Sequence, residues 1–348
     1  MSRHRERMTM TMCPACIRYI LVALALLTMT ATMPVFAQKL GPDGAPNPTA
    51  SVESEAKLLQ QSSRIEGRID IPNPREHVLQ QPAGRLWDHF HEVTLHWLGA
   101  IVILGMIASL GAAYLIMGRL RISKGRSGRK VPRFNSFERF SHWLTAISFV
   151  VLGLTGLNIT FGKIVLLPVI GPEAFSSVAQ YAKYVHNYVS AAFVIGLALI
   201  VVLWIRDNLP RKIDIDWLKQ GGGFIKSKHA PSGRFNAGEK LVFWFALGAG
   251  AAVIISGYLL IFPFYVTDIA GMQIAQVVHA VIAVLFVAVI IAHIYIGTLG
   301  MEGAFEAMAT GEVDLNWAKE HHDIWLEEQL SRERLDARSG QSSAAPAE

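Results

Sequence analysis

The sequence predicts an all-α integral membrane protein. Its 348 residues are 52% hydrophobic, and five apolar stretches beyond residue 95 are each long enough, at about 20 residues or more, to span a bilayer as a helix. The basic residues gather in two of the segments between these stretches, which is the pattern that orients a membrane protein. Nucleic-acid binding is not predicted despite a net charge of +5, because no basic face or nucleic-acid motif is present.

Residues 1–37 are typical of a secretory signal peptide. Arginines precede the apolar run Tyr19–Leu27, and small residues near Ala37 provide a cleavage site; an uncleaved anchor helix is the alternative. The only two cysteines, Cys13 and Cys16, lie in this segment and predict no metal or redox site, because no second pair supports them. Iron–sulfur ligation is excluded in the rest of the chain, which has no cysteine.

Residues 38–95 are expected to form a polar periplasmic arm. Its first part contains several prolines and lacks periodicity, which favours an extended or disordered conformation. His89, His91 and His96 approach the first span. They are candidates for a metal site, but an interfacial position is the favoured interpretation, since no supporting carboxylate geometry is evident.

An extra transmembrane helix is predicted at 96–118, before a four-helix domain at 119–300 and a tail at 301–348. The four helices of the domain are expected at about 137–160, 181–205, 241–264 and 274–300. The basic loops 119–136 and 206–240 are predicted to be cytoplasmic. This orientation makes the arm periplasmic and the tail cytoplasmic in a multi-pass protein of the bacterial inner membrane.

Four histidines lie within the four helices of the domain. The predicted orientation places His186 and His279 near the outer face of the membrane, and His142 and His293 near the inner face. Because His279 and His293 are fourteen residues apart, they share one face of the last helix and lie about 21 Å apart along it. Ionisable residues within a span are costly and are therefore candidates for function.

Two neutral imidazoles that face each other across a helix bundle can bind haem iron as axial ligands, with the apolar ring buried among the helices. The matched depths therefore predict two b-type haems, one on His186 and His279 and one on His142 and His293. Zinc is disfavoured, because no carboxylate or cysteine supplies a third ligand at either level. Several glycines leave room beside such a ring, or equally serve ordinary helix packing: Gly153, Gly156, Gly248, Gly250 and Gly257.

Four short segments carry a resemblance to a known family. They are FSHW at 140–143, YVH at 184–186, SGRFNAGEK at 232–240 and WAKEHH at 317–322. In order and spacing over about residues 134–328, they resemble the cytochrome b556 (gamma) subunit of respiratory formate dehydrogenases. The resemblance implies a four-helix cytochrome b with two haems, whose ligands correspond to His142, His186, His279 and His293. It also implies quinone reduction near the cytoplasmic haem.

The resemblance implies quinone contacts at Asn236 and Gly238, and at Glu239, where the family has a glutamine. An amide can both donate and accept a hydrogen bond, as a quinone carbonyl and a quinol hydroxyl require. Glu239 can pass protons from the cytoplasm. Without the resemblance, the favoured interpretation of this loop is a basic cytoplasmic segment that ends in a helix cap.

The predicted function is that of an electron-transfer subunit of a formate dehydrogenase complex, which passes electrons from a periplasmic module through two b haems to quinone. The implied partners are an iron–sulfur (beta) subunit and a molybdenum- or tungsten-containing catalytic (alpha) subunit, which oxidises formate in place of this chain. The nearest alternative is the cytochrome b subunit of a membrane-bound hydrogenase. A transporter would need further intramembrane charges or broken helices, and a structural anchor would not need four histidines.

Overall fold

The computed structural model describes residues 84–222 and 230–343. Five of its helices are long and apolar enough to cross a membrane, which confirms the predicted all-α membrane fold. The predicted signal peptide and most of the predicted arm lie outside the described residues. The five spans are Leu86–Met117, Ser136–Val165, Leu167–Trp204, Ala237–Ile261 and Ile269–Gly300.

The described part of the chain contains helices throughout and one small sheet. The α-helices are α1 (Gly84–His89), α2 (Leu95–Met117), α3 (Ser136–Val165), α4 (Leu167–Trp204), α5 (Lys212–Lys219), α6 (Ala237–Ile261), α7 (Ile269–Tyr295), α8 (Ala304–Ala309), α9 (Leu315–His321) and α10 (Asp323–Ser343). Two π-helical turns, Phe90–Thr94 and Ile296–Gly300, extend the first and the last span. The sheet consists of strands β1 (Lys130–Pro132) and β2 (Glu312–Asp314), which pair in antiparallel fashion.

The first span begins earlier than its apolar run suggests. Helix α1 starts at Gly84 and continues through the π-helical turn into α2, so residues 84–95, predicted to belong to the arm, are helical. Because this segment contains polar residues such as Asp88 and Glu92, its hydropathy is too low to predict a membrane span. A transmembrane helix can nevertheless extend beyond the hydrocarbon layer. His96 fixes the helix to α3, because its Nε2 lies 2.8 Å from the carbonyl oxygen of Thr160.

Capping side chains set the starts of α3 and α6. The side chain of Asn135 accepts hydrogen bonds from the backbone N–H groups of Phe137 and Glu138. Asn236 makes the equivalent bond at the start of α6. A cap marks where the backbone becomes helical, whereas an apolar run marks only the depth of the hydrocarbon. Helix α6 therefore begins at Ala237, before its predicted span at 241, whereas α3 begins at Ser136, close to the predicted 137.

Helix α4 also begins earlier than predicted. The segment predicted as a loop up to residue 180 is helical from Leu167 onward, apart from a break at Gly171. Gly171 has a φ of +78°, a conformation that glycine adopts without steric cost. Pro172 follows it and suits the first turn of a helix, where its missing N–H is not needed. The chain turns here between α3 and the long second part of α4.

Helices α3, α4, α6 and α7 form a bundle, and α2 packs on its outside against α7 and α3. Gly99 of α2 lies where a Cβ atom would approach Phe161 of α3 to 2.6 Å and Val284 of α7 to 3.4 Å. Small residues at such contacts allow membrane helices to pack closely, in the absence of a hydrophobic driving force between them. The extra helix is thus in direct contact with the bundle.

The described connecting segments 119–135, 205–222, 230–236 and 301–343 lie at one end of the bundle, here named the loop end. Strand β1 pairs with β2 through Val131 and Val313, and Leu120 bridges to Met301. The predicted tail is therefore folded onto the loops. The hydrophobic core of the loop end consists of buried apolar residues from the loops, the helix ends and the tail: Ile122, Val131, Phe134, Trp204, Phe235, Phe243, Ala307, Val313, Trp317, Ala318, Trp325 and Leu326.

Two bundle glycines provide a test of this packing. A Cβ atom on Gly196 of α4 would lie 2.9 Å from the backbone nitrogen of Thr145 in α3, whereas one on Gly248 of α6 would meet nothing within 4 Å. We expect Gly196→Ala to destabilise the protein by about 1–3 kcal/mol, because the two backbones must move apart. Gly248→Ala should be neutral, or stabilising by up to about 1 kcal/mol through helix propensity.

Thermal unfolding in detergent, followed by fluorescence-detected size exclusion, measures both variants. An equal loss of stability in the two would show that α3 and α4 do not pack closely at Gly196.

Candidate functional site

The structure brings the four predicted histidines together in two pairs. The ring centroids of His186 in α4 and His279 in α7 are 6.2 Å apart, with the ring planes at 73°. Those of His142 in α3 and His293 in α7 are 6.3 Å apart, at 58°. Because α3 begins and α7 ends at the loop end, the second pair lies near that end and the first pair near the opposite end.

Thr155 fixes the ring of His186. The hydroxyl of Thr155 donates to the carbonyl oxygen of Val151 at 2.7 Å, so its lone pairs are available to the Nδ1 of His186, 2.9 Å away. The consistent assignment is that Nδ1 carries the proton and donates it to Thr155. The Nε2 of His186 is then unprotonated and free to bind a metal.

His279 is fixed in the same way by α6. Its Nδ1 lies 3.0 Å from the carbonyl oxygen of Val253 and 3.2 Å from the hydroxyl of Ser256. A carbonyl oxygen can only accept, so Nδ1 of His279 carries the proton. Ser256 donates its own proton to the carbonyl oxygen of Ala252 at 2.6 Å. Nε2 of His279 is therefore also left with a free lone pair.

Glycines on the neighbouring helices approach these two rings. A Cβ atom on Gly156 would lie 3.4 Å from Cε1 of His186, and one on Gly257 would lie 3.1 Å from Cε1 of His279. Of the other glycines singled out in the sequence, Gly250 adjoins Leu197 and Gly153 adjoins Val287. Room beside the histidines is thus provided by Gly156 and Gly257.

The pair near the loop end has fewer protein partners. Nδ1 of His142 is buried and has no hydrogen-bond partner among the described residues. His293 is exposed, whereas the other three histidines are half-buried. Trp143 stands edge-on to His142 at 5.5 Å and donates a hydrogen bond from its indole N–H to the carbonyl oxygen of Met308, which holds α8 beside the start of α3.

Both pairs fit axial ligation of one haem iron each. Metal–imidazole bonds of about 2.0 Å place the centroids of two rings on one metal about 6 Å apart. The observed 6.2 Å and 6.3 Å agree with this spacing. Hydrogen bonds at Nδ1 of His186 and His279 orient these imidazoles, as outer-shell partners orient the histidines of metal sites. Within residues 84–222 and 230–343, no group of three or more histidine, cysteine or acidic residues could hold a metal ion by itself.

The loop predicted to contact quinone caps helix α6. Oδ1 of Asn236 accepts from the backbone N–H of Glu239 at 2.9 Å, and the carboxylate of Glu239 accepts from the backbone N–H of Asn236 at 2.9 Å. This reciprocal arrangement is a capping box. The helix-cap interpretation of the loop is correct, and the NH₂ group of the Asn236 side chain takes no part in the capping box.

Gly238 lies in a close contact within the first turn of α6. A Cβ atom there would lie 3.1 Å from the ring of Trp217 and 3.2 Å from Oδ1 of Asn236. Trp217 belongs to α5, which is tied to α6 by an ion pair of 2.8 Å between Lys240 and Asp214. Asn236, Gly238 and Glu239 therefore lie at the same end of the bundle as His142 and His293.

A buried arginine and histidine connect the tail to this loop. One nitrogen of Arg133, Nη2, lies 2.9 Å from the carbonyl oxygen of Arg234 and 3.2 Å from the carboxylate of Glu239. It also donates to Nε2 of His322 at 3.0 Å, while Nδ1 of His322 donates to the carbonyl oxygen of Gly233 at 2.9 Å. His322 is 0% exposed. Its burial and the neighbouring Arg133 charge hold the pKa of the imidazole well below its ordinary range.

Aromatic rings compensate for burial of the Arg133 charge. The guanidinium lies 5.1–5.3 Å from the ring centroids of Phe134, Trp317 and Trp325. A cation over an aromatic face is attracted by the ring quadrupole, by up to about 2 kcal/mol when both are desolvated. The opposite charge of Glu239 adds to this. We name Arg133, His322 and Glu239 the clamp.

Further contacts hold the loop on its other side. Arg234 forms ion pairs with Glu138 and Asp207, at 2.5 Å and 2.8 Å, and Trp204 donates its indole N–H to Glu138. The backbone N–H of Ser232 donates to Asp323 of the tail. The loop from Ser232 to Asn236 is thus fixed by α3, α4 and the tail together.

Of the three histidines near the first span, His89, His91 and His96, the last two make contacts within the protein. Nδ1 of His91 lies 3.6 Å from the carboxylate of Glu92, and its ring stacks on Trp87 at 5.3 Å. His96 bonds to Thr160, as described above. They belong to no cluster of three metal-binding side chains in the described residues.

Sequence reasoning missed the residues that orient the histidines and the loop. Thr155, Ser256 and Val253 carry no motif, since Ser and Thr are common in membrane helices and a backbone carbonyl leaves no trace in sequence. His322 lies in the WAKEHH segment, which by itself indicates no role for it. Arg133 is one of several cations in its loop, and only its burial distinguishes it.

Apolar spanning helices and paired histidines with oriented rings are the features of a membrane-embedded cytochrome of the b type. Residues 133–311, more than half of the chain, match the family described as prokaryotic cytochrome b561, and the chain belongs to this family. Membership implies haem b as the cofactor. The match begins at Arg133 of the clamp and ends just before β2.

Curated relatives of similar sequence are formate dehydrogenase subunits. The chain is 29% identical over 202 residues to the cytochrome b556(fdo) subunit of formate dehydrogenase from Escherichia coli. The aligned region covers 57% of this chain and 92% of the relative. It is 26% identical over 206 residues to the cytochrome b556(Fdn) subunit of the nitrate-inducible enzyme from the same organism, covering 58% and 92%. A subunit from Haemophilus influenzae is 26% identical over 235 residues, covering 64% and 94%.

The clamp should weaken in acid. Since the pKa of His322 in the folded protein is below that of an unfolded chain, the unfolded state binds more protons, and stability is lost as pH falls below about 6.5. One such group contributes at most about 1.4 kcal/mol per pH unit. If Nε2 of His322 were protonated, it could no longer accept a hydrogen bond from Arg133, and the two positive charges would repel each other. The other titratable groups nearby are Glu239, 3.7 Å from this nitrogen, and the adjacent His321.

We expect hydrogen exchange in residues 230–236 and 315–330 to accelerate between pH 7 and pH 5. His322→Gln is the matched control, because its amide can accept from Arg133 but does not titrate in this range. The same acceleration in wild type and His322→Gln would show that another group is responsible.

Proposed function

We propose that this chain is the membrane cytochrome b subunit of a formate dehydrogenase complex, which passes electrons from a periplasmic module to quinone near the cytoplasmic face. The observation that carries the proposal is the presence of two histidine pairs, with centroids 6.2 Å and 6.3 Å apart, at opposite ends of one apolar bundle. The similarity to formate dehydrogenase cytochrome b556 subunits supplies the donor.

Two b haems, one per histidine pair, would supply reversible one-electron carriers across the membrane. His186 and His279 would hold one haem, and His142 and His293 would hold the other. Thr155 and the Val253 carbonyl keep the imidazoles of His186 and His279 in the tautomer that leaves Nε2 free. The apolar side chains of the bundle keep the interior dry, which tunes the redox potential of a buried metal site.

The distribution of charge supports a cytoplasmic loop end. Seven basic residues lie between Gly118 and Phe134, at the end of the bundle that also carries the second basic loop. The connection 262–268 at the opposite end has no lysine or arginine. Positive loops remain in the cytoplasm, so His142 and His293 would lie near the cytoplasmic face, and His186 and His279 near the periplasmic face.

Quinone would bind at the loop end, beside Asn236 and Gly238. The capping box occupies Oδ1 of Asn236, so the amide NH₂ group is the part that can donate to a quinone carbonyl. Glu239 is fixed by the Asn236 N–H and by Arg133, yet its side chain is 38% exposed. Glu239 can therefore exchange protons with water and supply them beside the quinone, which needs two protons for reduction.

Formate oxidation would belong to partner subunits. The chain has no cysteine after Cys16, so an iron–sulfur (beta) subunit would deliver electrons, and a molybdenum- or tungsten-containing (alpha) subunit would act on formate. Both would face the pair formed by His186 and His279. This chain would thus reduce quinone within a complex, and it would not act on formate alone.

Haem content and its reduction test the proposal. In the complex isolated with its partner subunits, formate should reduce two b haems, whereas hydrogen should reduce neither. His186→Ala and His279→Ala should each lose the same haem and leave the other spectrally present, because each removes one axial ligand of one iron. Reduced-minus-oxidised spectra and a haem-to-protein ratio measure this. Loss of different haems in the two variants would overturn the pairing, and reduction by hydrogen would favour a hydrogenase subunit.

Asn236 variants separate ligand binding from helix capping. Asn236→Asp keeps a capping oxygen but lacks the NH₂ donor, while Asn236→Ala lacks both. Loss of one hydrogen bond costs about 0.5–1.5 kcal/mol, or up to about 3 kcal/mol if a buried partner is left unpaired. Both variants should therefore weaken binding of a quinone-site inhibitor by a few-fold to about a hundredfold. Formate should still reduce both haems, since electrons would enter from the opposite side.

Inhibitor titration of quinone reductase activity measures the effect. Normal binding in Asn236→Asp with weak binding in Asn236→Ala would assign Asn236 to the cap alone. Loss of haem reduction in either variant would place the quinone site elsewhere.

A further inference from the structure

Four phenylalanines from the four bundle helices meet in the middle of the protein. The ring centroid of Phe286 lies 4.6 Å from that of Phe149, 5.8 Å from that of Phe245 and 6.2 Å from that of Phe193. Phe149 and Phe193 are 5.9 Å apart. Phe286 is 2% exposed and Phe193 is 3% exposed. We name these four residues the phenylalanine cluster.

The cluster is in register with the histidines. Phe149 follows His142 by seven residues in α3, and Phe193 follows His186 by seven residues in α4. In α7, Phe286 lies seven residues after His279 and seven before His293. Seven residues are about two helical turns, or about 10.5 Å. Each of the three histidine-bearing helices therefore places a phenylalanine midway between the two histidine pairs.

Ordinary core packing does not require this register. The cluster residues are packed by aliphatic side chains such as Leu152, Val253 and Ile282, and any of these types would fill the bundle interior. An aromatic residue from each helix at the same level instead places four rings in contact across the bundle interior. Rings packed in this way exclude water, because interiors of this density leave few voids that could hold it.

We propose that the phenylalanine cluster is a partition between two haem sites, which fixes their separation and keeps water out of the interval. The proposal rests on the proposed function in one respect, namely that each histidine pair holds a haem. Phe286 is the central member, since it contacts the other three rings and lies equally far along α7 from a ligand of each site. A substitution of Phe286 should therefore change the midpoint potentials of both haem sites.

The experiment uses the full chain with its haems and compares three substitutions. Phe286→Ala opens a cavity in the partition. Ser256→Ala removes a side chain that lies beside His279 only. Phe243→Leu is the matched control, because Phe243 is also buried, at 8% exposure, but belongs to the core at the loop end. Potentiometric titration of each haem and the haem-to-protein ratio are measured, with thermal unfolding alongside.

Phe286→Ala should retain two haems and shift both midpoint potentials downward, since water in the interval favours the oxidised form, which carries one more positive charge. Ser256→Ala should shift one potential only, and Phe243→Leu neither. If the alanine variant does not fold, Phe286→Leu replaces it in the test. Because leucine retains much of the side-chain volume, the expected shifts in both midpoint potentials are smaller.

Unchanged potentials in Phe286→Ala or Phe286→Leu, with a loss of stability like that of Phe243→Leu, would overturn the partition and leave the cluster as packing. A shift confined to one haem would also overturn it. A wild-type chain with fewer than two haems would instead overturn the proposed function, and the partition with it. The haem count of the wild type distinguishes these failures.

Discussion

In an apolar helix bundle, an imidazole N–H without an acceptor costs about as much free energy as a lost buried hydrogen bond, so the acceptors around a histidine select its tautomer. Thr155 and the Val253 carbonyl perform this selection for His186 and His279. Both place the proton on Nδ1 and leave the lone pair of Nε2 free. The close approach of α3 to α4 and of α6 to α7 is what brings these acceptors within reach, so the ligand chemistry depends on helix packing.

At the loop end, the need to compensate a buried polar group applies to the charge of Arg133. The Arg133 charge has a side chain only 1% exposed, and an isolated buried charge would be strongly destabilising. Glu239 and Phe134 offset part of this cost. His322, Trp317 and Trp325 contribute only when the tail is folded against the loop. The capping box of α6 shares Glu239 with the clamp. The orientation of Asn236, the proposed quinone contact, is therefore tied to the folding of the tail.

The region that matches the family contains the candidate functional residues, and the segments on either side of it pack against this region. Residues 133–311 contain both histidine pairs and the loop before α6. The first span lies before this region and contacts the bundle at Gly99 and His96. His322 lies after it, although it completes the clamp around Arg133. Residues on either side of the matched region thus stabilise it without contributing a candidate ligand.

The sequence by itself determined the number of described spans, their order and the two levels of the bundle at which four histidines pair, because apolar length and helical period are local properties of the chain. The same period places Phe149, Phe193 and Phe286 at one level. Only the tertiary structure decided which nitrogen of His186 and His279 is free, why Arg133 differs from neighbouring loop cations, and that residues 301–343 fold onto the loop end. These features depend on contacts such as Arg133 with His322, which lie 189 residues apart. Helix starts were shifted for a related reason, since caps such as Asn236 depend on backbone geometry rather than on hydropathy.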